Sequence, residues 1–329
     1  MYNTAFHNHD ISKFSFLVTG GAGFIGSNIV EYLIRYEAGK VRILDNLLTS
    51  SIDNISEFIT LPNVEFINGD IRDQEVCRKA CEGIDYITHQ AALGSVPRSV
   101  KNPVATHDIN ASGFLNVLIA ARDARVKRFV YASSSSVYGD HPGLPKLEDQ
   151  IGNPLSPYAV SKRTNELYAS VFANTYNMEI IGLRYFNVFG PKQSPEGAYA
   201  AVIPLFIDSV INDSAPGIDG DGEQTRDFTF VENAVQANIL AMFTENKDAL
   251  NQIYNVAVGE NFSVNQLFRI ITDTAGSKLK AEHKPTRPGD IRNSLADISK
   301  AEELLQYKPA VRLEEGLKIT FDWFRSGKK

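Results

Sequence analysis

The stretch Thr19-Gly20-Gly21-Ala22-Gly23-Phe24-Ile25-Gly26 decides the fold of this chain. An apolar run over residues 14–18 precedes it, and a helical pattern over residues 28–34 follows it. Glycines spaced as Gly21-x-Gly23-x-x-Gly26 allow a tight turn from strand to helix, close approach of a pyrophosphate and close helix–strand packing. The free N–H groups and the positive dipole at the helix start favour phosphate. The stretch therefore predicts a dinucleotide-binding site.

An acidic residue follows where a dinucleotide site requires one. Asp45 ends the next apolar run, over residues 41–44, roughly twenty residues after the glycines. A carboxylate at this place accepts hydrogen bonds from both ribose hydroxyls and repels a 2′-phosphate. The glycines and Asp45 together predict NAD rather than NADP as the cofactor.

The length and charge of the chain exclude several classes of protein. Its 329 residues can bury a large core and lie near the size at which chains divide into two lobes. The net charge of −6 gives no electrostatic footprint for nucleic acid or an anionic membrane, and no apolar run is long enough to span a bilayer. The N-terminus lacks a basic start and an apolar signal core. We expect a cytoplasmic protein whose N-terminal tail, with His7 and His9, is frayed.

Two cysteines are present, Cys77 and Cys81, four residues apart on a predicted helix. A disulfide or redox pair is one interpretation of this spacing, and two unpaired thiols on an ordinary helix are the other. Because no histidine or further cysteine completes a ligand set, the second interpretation is favoured. The six histidines form no metal-binding pattern, so no metal site is predicted.

The first half of the chain alternates short apolar runs with amphipathic stretches, as a parallel sheet with crossover helices requires. The predicted strands cover residues 14–18, 41–44, 64–68, 86–89, 128–132 and 180–185. The predicted helices cover residues 25–36, 74–81, 106–124 and 158–176. Pro97 is expected to interrupt the loop after the fourth strand. This order predicts an α/β protein with a Rossmann-type doubly wound parallel sheet.

The second half of the chain is richer in loop residues, as a substrate lobe should be. A helix over residues 232–243 and a strand over residues 252–258 are nevertheless predicted, and both could return to the first sheet. We therefore expect an NAD-binding domain over residues 1–186 and a smaller, interleaved C-terminal substrate lobe over residues 187–329. Segments near 228–258 are expected to return to the first domain.

A tyrosine and a lysine, Tyr158 and Lys162, lie four residues apart and therefore on one face of a predicted helix. A free phenol titrates at about pH 10 and is a poor base at neutrality. A neighbouring ammonium, together with a positive nicotinamide, would favour the phenolate and prepare Tyr158 as a general base. Lys162 could also hydrogen-bond the nicotinamide ribose. The alternative is a core tyrosine beside a solvent-facing lysine.

Four serines, Ser133 to Ser136, directly follow the fifth predicted strand. Hydroxyls at the carboxyl end of a strand lie where doubly wound sheets bind ligands. One of them could hydrogen-bond the substrate hydroxyl whose proton Tyr158 removes, although a flexible polar loop is the other interpretation. The combination of the glycine turn, the serines and the Tyr158/Lys162 pair favours the chemical interpretation.

With these three motifs the chain resembles the extended short-chain dehydrogenase/reductase family, and more narrowly the nucleotide-sugar C4 epimerases that act on UDP-hexoses. The resemblance extends from about residue 14 to about residue 323. It implies that Ser134, Tyr158 and Lys162 are the catalytic residues, with Ser135 beside Ser134 at the substrate.

The resemblance implies a larger set of contacts to NAD. They are Gly20, Gly23, Phe24, Ile25, Gly26, Asp45, Asn46, Asp70, Ile71, Gln90, Ala91, Ala92, Tyr158, Lys162 and Tyr185. Within this set, Asp70 and Ile71 correspond to the adenine site. Tyr185 is expected to close beside the nicotinamide.

The implied substrate contacts lie mainly in the second half of the chain. They are Gly94, Ser95, Ser134, Ser135, Tyr158, Asn187, Ala200, Val202, Arg226, Arg287, Asp290 and Ser294. The planar guanidinium of arginine suits a diphosphate, so Arg226 and Arg287 are the expected diphosphate ligands. The alternative is that both form ordinary surface ion pairs. Asp290 is expected at the ribose. Many relatives carry an aromatic residue before Gly220 to stack on uracil, and Asp219 departs from that pattern.

The resemblance implies a reaction that conserves NAD. Tyr158 removes the O4 proton while NAD⁺ accepts hydride from C4, and the 4-ketose then turns before hydride returns to its other face. Related dehydratases and decarboxylases begin in the same way but commonly carry an acidic residue where this chain has Ser135 and Ser136. Epimerisation is therefore favoured. A nucleotide-sensing protein without turnover is the remaining alternative, but such proteins usually lose the tyrosine or the lysine.

Two features favour an N-acetylated sugar. Some family members carry a tyrosine that crowds the C2 substituent where this chain has Ser294. The segment over residues 94–99 also looks like the loop of epimerases that prefer N-acetylated sugars. We expect UDP-N-acetylglucosamine and UDP-N-acetylgalactosamine as substrates. The UDP-N-acetylhexosaminuronic acids are the alternative, because Arg98 could meet a C6 carboxylate.

The resemblance further implies a homodimer in which helices 106–124 and 158–176 form the contact. The apolar positions of these helices are Phe114, Leu115, Leu118, Leu167, Val171 and Phe172. Packing against the chain's own sheet would explain these positions equally well.

Overall fold

The structure, a computed structural model, describes residues 1–195, 200–286 and 292–327. Its strands are β1 (Ser15–Thr19), β2 (Lys40–Asp45), β3 (Val64–Asn68), β4 (Tyr86–His89), β5 (Arg128–Ser134), β6 (Ile180–Tyr185), β7 (Val188–Phe189), β8 (Gly217–Asp219), β9 (Thr225–Arg226), β10 (Thr229–Phe230), β11 (Ile253–Val256), β12 (Phe262–Ser263) and β13 (Glu282–Lys284). Its helices are α1 (Phe24–Arg35), α2 (Gln74–Cys81), α3 (Val96–Lys101), α4 (Pro103–His107), α5 (Phe114–Asp123), α6 (Pro157–Tyr176), α7 (Val202–Ile211), α8 (Val231–Phe243), α9 (Val264–Ala275), α10 (Ser299–Leu305) and α11 (Leu313–Arg325).

One parallel sheet of seven strands organises the chain, in the order β11-β6-β5-β4-β1-β2-β3. Successive residues of a strand face opposite sides. In β1, Phe16 and Val18 therefore pack with α1 and α8, whereas Leu17 packs with α2, α5 and α6. Helices cover both faces, which confirms the predicted Rossmann-type doubly wound α/β fold. The strand order reverses between β1 and β4, where such folds bind ligands.

The predicted strands are all present, and β5 reaches further into the site than expected. β5 extends to Ser134, two residues beyond its predicted end at residue 132, and pairs Ser134 with Tyr185 of β6. β11 lies beside β6, and α8 packs on the same sheet, so the chain returns to the sheet after residue 228.

Two local predictions are wrong. Pro97 does not interrupt a loop but lies in the first turn of α3, where a helix needs no N–H donor, and the Ser95 side chain caps that helix. The helix predicted over residues 106–124 is divided into α4, a π-helical turn (Asp108–Gly113) and α5. Within that turn Gly113 lets the backbone pack closely on Ile71, because a Cβ there would lie 2.6 Å from the Ile71 side chain.

The N-terminal tail is packed, which corrects the expectation for His7 and His9. Tyr2 is fully buried. His7 Nδ1 lies 2.7 Å from the Tyr32 hydroxyl of α1, and the His9 ring stacks on Phe243 of α8 with ring centroids 5.2 Å apart. The physical reason is that the aromatic residues of the tail cover apolar surface that α1 and α8 leave exposed at the edge of the core.

The two cysteines are buried and unpaired, as the favoured interpretation predicted. Burial raises the pKa of both the Cys77 and the Cys81 thiol to about 12, so both remain protonated and unreactive at neutral pH.

A second, smaller core closes the carboxyl edge of the sheet. It is built from Phe206 of α7, Phe230 of β10, Leu267 of α9 and Leu317 of α11. The short pairs β7–β10, β9–β12 and β8–β13 surround it. Because this core lies beyond the strand ends, a crevice remains between it and the sheet.

Candidate active site

A cleft of about 1060 Å³ occupies the crevice at the carboxyl ends of the strands. Its walls come from the glycine turn, the serine segment and the start of α6 on one side, and from residues such as Asn187 and Arg226 on the other. Pockets for one small ligand typically measure about 300–1,000 Å³. The cleft therefore lies at the upper end of this range, and a second recess adjoins it.

The glycine turn forms a cradle that side chains would fill. Gly20 has a left-handed φ of +67°, and a Cβ there would lie 2.6 Å from the backbone nitrogen of Ala91. A Cβ on Gly26 would lie 2.1 Å from the Gly20 carbonyl oxygen. Gly23 is the N-cap of α1 and offers no side chain to its first amides. Those amides remain available to an anion, so the turn fits a pyrophosphate.

The predicted adenosine side forms a smaller recess that adjoins the cleft. Asp45, Asn46, Ile71 and Ala91 line it. Asp45 Oδ2 accepts from the Ala22 amide at 3.0 Å, which ties the acid to the glycine turn.

Asp70 stands beside this recess rather than in its lining. Its carboxylate accepts from Asn46 Nδ2 at 2.8 Å, and the Arg72 guanidinium lowers the pKa of Asp70 to about 2. Asp70 is therefore ionised throughout the physiological range.

Ser134, Tyr158 and Lys162 meet at the bottom of the cleft. Ser134 is the last residue of β5, and Tyr158 and Lys162 lie on the first turns of α6, which Ser156 caps by accepting from the Ala159 amide at 3.1 Å. Lys162 Nζ donates to the Ala132 carbonyl at 2.8 Å and lies 6.0 Å from the centroid of the Tyr158 ring. The cap fixes the start of the helix and with it the position of the tyrosine.

The protonation of these groups is set mainly by burial. Burial raises the pKa of the Tyr158 phenol, and its hydrogen bond with Ser134 lowers that pKa in part. Burial lowers the pKa of Lys162 to about 8, although the negative charge of Glu166 raises it in part. Burial by itself therefore disfavours the phenolate of Tyr158.

A buried ion pair behind the serines was missed by the sequence analysis. Glu166 of α6 and Arg184 of β6 are joined by two hydrogen bonds of 2.8 and 3.0 Å, and their side chains are at most 1% exposed. Ser133 Oγ donates to Glu166 Oε1 at 2.7 Å, so the pair also holds the residue before Ser134. Burial raises the pKa of Glu166, but Arg184, together with Ser133 and Arg163, more than offsets this, and the carboxylate stays ionised.

A neutral network, also missed, lies on the opposite face of β6. Tyr185 donates from its hydroxyl to Gln90 Oε1 at 3.1 Å, and both residues line the cleft. Thr88 and Asn238 lie behind them and are fully buried. The one signal available from sequence is that Asn238 is a polar residue on an otherwise apolar face of a predicted helix.

Most of the predicted substrate residues line the same cleft. Those that do so are Gly94, Ser95, Ser134, Ser135, Tyr158, Asn187, Ala200, Arg226 and Ser294. Val202 lies two residues beyond Ala200, at the first position of α7, and is not part of the lining. Arg287 and Asp290 lie outside the described residues.

Asp227 holds the lobe side of the cleft in place. Its carboxylate accepts from the amides of Val258 at 3.0 Å and Gly259 at 3.1 Å. Its carbonyl accepts from Asn187 Nδ2 at 3.0 Å. Burial raises the pKa of Asp227 to about 6. The neighbouring Arg226 is thereby fixed relative to the end of β11.

Lys146 and Gln193 also line the cleft and were not singled out from the sequence. Lys146 is 7% exposed, and its Nζ donates to the His141 carbonyl. Gln193 donates from Nε2 to the Val188 carbonyl at 3.1 Å, while its buried Oε1 has no protein partner. Both lie in loops, where no periodicity indicates which side chains turn inward.

None of the described helices is long and apolar enough to cross a membrane. Within residues 1–195, 200–286 and 292–327, no group of three or more His, Cys, Asp or Glu side chains is placed to hold a metal ion.

The doubly wound sheet, the phosphate cradle and the Ser134–Tyr158–Lys162 group define a dinucleotide-dependent enzyme of the short-chain dehydrogenase/reductase type. The model of the NAD dependent epimerase/dehydratase family matches residues 16–257, and the chain belongs to this family. It is an enzyme that uses NAD, as its sequence predicted.

Individual relatives match over nearly the full length. A putative UDP-glucose 4-epimerase of Methanocaldococcus jannaschii is 41% identical over 95% of this chain and 99% of its own. The UDP-N-acetylglucosamine 4-epimerase of Methanobrevibacter ruminantium, solved with UDP-N-acetylmuramic acid, is 41% identical with a TM-score of 0.90 over 95% of this chain and 99% of its own. The UDP-glucuronic acid 4-epimerase of Bacillus cereus, solved with UDP-glucuronic acid and NAD, is 31% identical with a TM-score of 0.88 over 95% and 99%.

Proposed function

We propose that the protein interconverts UDP-N-acetylglucosamine and UDP-N-acetylgalactosamine by NAD-dependent epimerisation at C4. The observation that carries the proposal is the convergence of Ser134, Tyr158 and Lys162 with the phosphate cradle and Arg226 in one cleft. The relatives named as UDP-sugar 4-epimerases support the reaction class.

Each catalytic residue has a task in this reaction. Bound NAD supplies the acceptor and then the donor of the C4 hydride. Tyr158 takes the O4 proton as the 4-ketose forms and returns it after the sugar has turned. Ser134 hydrogen-bonds the same oxygen, and the Lys162 ammonium favours the phenolate and binds the nicotinamide ribose. No electrons leave the cleft, so the residues that retain the ketose matter as much as those that move the proton.

The lobe side of the cleft suits the rest of the substrate. Arg226 and Asn187 both line this side of the cleft, and the Arg226 guanidinium is our candidate for the diphosphate. Ser294 is 9% exposed and leaves more room for a C2 substituent than an aromatic ring would. This space supports an N-acetylated sugar.

The test is proton NMR of UDP-N-acetylglucosamine mixed with purified protein and no added NAD. The galacto anomeric signal should appear, and Tyr158→Phe should abolish it while NAD remains bound. A spectrum that stays unchanged even with NAD supplied would contradict the proposed substrate. Retained activity in Tyr158→Phe would instead favour a role without this chemistry.

A second candidate is C4 epimerisation of the corresponding uronic acids. Arg98 and the nearly buried Lys146 both line the cleft and could meet a C6 carboxylate. The UDP-glucuronic acid 4-epimerase relative adds support. The same NMR assay with UDP-N-acetylglucosaminuronic acid separates the candidates, because Lys146→Met should then raise KM for the acid alone. Decarboxylation and dehydration are less well supported, since Ser135 and Ser136 replace the acid that those reactions employ.

We further propose that the protein is a homodimer. Phe114, Leu118 and Phe172 are buried in the chain's own core, so packing within the chain explains why these positions are apolar. Leu167 and Val171, in contrast, are 53% and 54% exposed on α6. Val100 and Val104, on the neighbouring α3 and α4, are also exposed, so an apolar face remains.

Light scattering tests the dimer. Leu167→Lys with Val171→Lys should halve the mass, whereas Leu205→Lys on the lobe helix α7 should not. A monomeric unmodified protein would contradict the proposal. The domain division at residue 186 and the cytoplasmic location stay predictions.

A further inference from the structure

A closed ring of four uncharged side chains lies at the inner wall of the cleft. Gln90 and Tyr185 face the cleft, and Thr88 and Asn238 are buried behind them. Burial raises the pKa of Tyr185 to about 12, so its phenol stays protonated. Asn238 itself does not line the cleft and belongs to α8. Any influence it has on a bound ligand must therefore act through Gln90 and Tyr185.

Asn238 uses its full hydrogen-bonding capacity. Its Nδ2 donates to the Tyr185 hydroxyl at 2.6 Å and to the Ala234 carbonyl at 2.7 Å. Its Oδ1 accepts from Thr88 Oγ1 at 2.8 Å and from Gln90 Nε2 at 3.1 Å. A primary amide has two donors and two acceptor lone pairs, so this side chain cannot rotate without losing a bond. It is a fixed point in the wall.

The direction of these bonds fixes the two cleft-facing groups. Because Asn238 donates to the phenolic oxygen, the hydrogen of Tyr185 is directed to Gln90 Oε1, 3.1 Å away. Gln90 Nε2 in turn donates to Thr88 Oγ1 at 2.8 Å, which closes the ring. Gln90 and Tyr185 are therefore held from behind in one orientation each.

The ring also connects the phosphate cradle with the catalytic serine. The backbone N–H of Gln90 donates to the backbone carbonyl of Thr19 at 3.0 Å, at the start of the glycine turn. Tyr185 pairs with Ser134 in the register of β5 and β6. A shift of the ring would consequently move the wall between the cofactor and the reacting sugar.

We propose that Asn238 is a positioning residue that orients Gln90 and Tyr185 and thereby determines how firmly the cleft retains NAD and the 4-keto sugar. This inference rests on the proposed function. The ketose has lost a hydride to the cofactor and a proton to Tyr158, and it must turn without leaving. If the wall loosens, the ketose escapes, and the two electrons stay behind in bound NADH.

The experiment replaces Asn238 with leucine, which has a similar size and makes no hydrogen bonds. Asn238→Leu should lower kcat by about tenfold to 100-fold, as expected of a misplaced site, with KM for the UDP-sugar unchanged. It should also weaken NAD⁺ binding to the apoenzyme in calorimetry and increase the NADH fluorescence that accumulates during turnover. The calorimetric measurement is independent of catalysis.

Asn233→Leu is the matched control. Asn233 lies on the same helix, is fully buried, donates to the Val311 carbonyl at 2.7 Å and accepts from the Ala310 amide at 2.8 Å, away from the cleft. This variant should lose stability but keep normal NAD⁺ affinity and show no extra NADH. If the two variants have the same NAD⁺ affinity and the same NADH accumulation, Asn238 is only structural and the proposal is overturned.

A second variant covers the case in which Asn238→Leu does not fold. Asn238→Ala removes the hydrogen bonds to Tyr185, Thr88 and Gln90 without adding bulk or a charge that would itself alter NAD⁺ affinity. Weakened NAD⁺ binding in this folded variant supports the proposal, and unchanged binding overturns it. If the unmodified protein epimerises no UDP-hexose, the proposed function fails, while the NAD⁺ affinities still decide the role of Asn238.

Discussion

The two buried polar networks beside β6 differ in charge, although they are anchored by adjacent residues of one strand. Arg184 faces α6 and pairs with Glu166, whereas Tyr185 faces α8 and bonds to Asn238. The ion pair lies behind the serine segment and one turn from Lys162, while the uncharged ring lies behind the glycine turn. One sheet thus separates a charged support from a neutral one.

The difference indicates what each support must do. Burying two charges costs several kcal/mol of desolvation, so a buried ion pair is poor evidence for stability alone. Here the Glu166 carboxylate also raises the pKa of Lys162, which keeps the ammonium charged. On the proposed function, the cofactor changes its charge in each half-reaction. A neutral ring beside it favours neither oxidation state, whereas a fixed charge would.

The largest effect should come from breaking the charged network. Glu166→Gln leaves Arg184, which is 1% exposed, without its anion. We expect the free energy of unfolding in urea to fall by about 3–5 kcal/mol, the usual cost of an uncompensated buried charge. Glu75→Gln is the control, because its partner Arg78 is exposed and the loss of a surface pair has little effect. Equal losses in the two variants would contradict the distinction between buried and surface charge.

A smaller loss should follow when both charges are replaced together. Glu166→Leu with Arg184→Met removes the desolvation cost along with the attraction, and such replacements are often neutral within a few kcal/mol. The double variant should therefore unfold at a higher urea concentration than Glu166→Gln. The kcat of the double variant should be lower than that of the unmodified protein, because Ser133 Oγ loses its acceptor, the Glu166 carboxylate. Full activity in the double variant would show that the ion pair does not position the serine segment.

The neutral ring should tolerate damage better than the ion pair. Thr88→Val removes one hydroxyl, but the direct bond between Gln90 and Asn238 at 3.1 Å remains. We expect a loss of about 0.5–1.5 kcal/mol in the same urea measurement. Thr320→Val is the control, since that buried hydroxyl donates only to Gly316 of its own helix. A loss from Thr88→Val as large as that from Glu166→Gln would remove the contrast between the two networks.

Much of the sheet and the cofactor cradle could be predicted because their signals are local. A buried parallel strand is a short apolar run, and a tight strand–helix turn requires glycines at fixed spacing, as at Gly20 to Gly26. The i, i+4 spacing likewise places Tyr158 and Lys162 on one face of α6. Each of these inferences needs only a few neighbouring residues.

The supports of the site could not be predicted in the same way, because they depend on which strands and helices become neighbours. Glu166 continues the i, i+4 series of Tyr158 and Lys162, yet its burial follows from β6 lying beside β5 beneath α6. Asn238 meets Tyr185 only because α8 returns to the sheet. The prediction of a frayed N-terminal tail was wrong for the same reason. Its aromatic residues pack on α1 and α8, which are distant in sequence or follow later in the chain.

The smallest effect expected is a shift in the pH dependence of kcat. This shift should occur when the charged network is changed and not when the neutral one is. Burial lowers the pKa of Lys162 to about 8, so kcat should fall as pH rises through that value and the ammonium is lost. In the same range the unfolded state binds more protons at this lysine than the folded state, so its contribution to stability rises between about pH 8 and 10.4. The alkaline loss of kcat therefore cannot be ascribed to unfolding driven by Lys162.

Glu166→Gln removes the charge that raises this pKa, so the alkaline limb of kcat should move to lower pH, whereas Thr88→Val should leave it in place. The comparison is made at a temperature at which circular dichroism shows each variant to be folded. If both variants shift the alkaline limb of kcat equally, the two networks do not differ in their effect on the pKa of Lys162. If neither does, the limb belongs to another group, and Lys162→Arg, which keeps its charge at every accessible pH, should then retain the same limb.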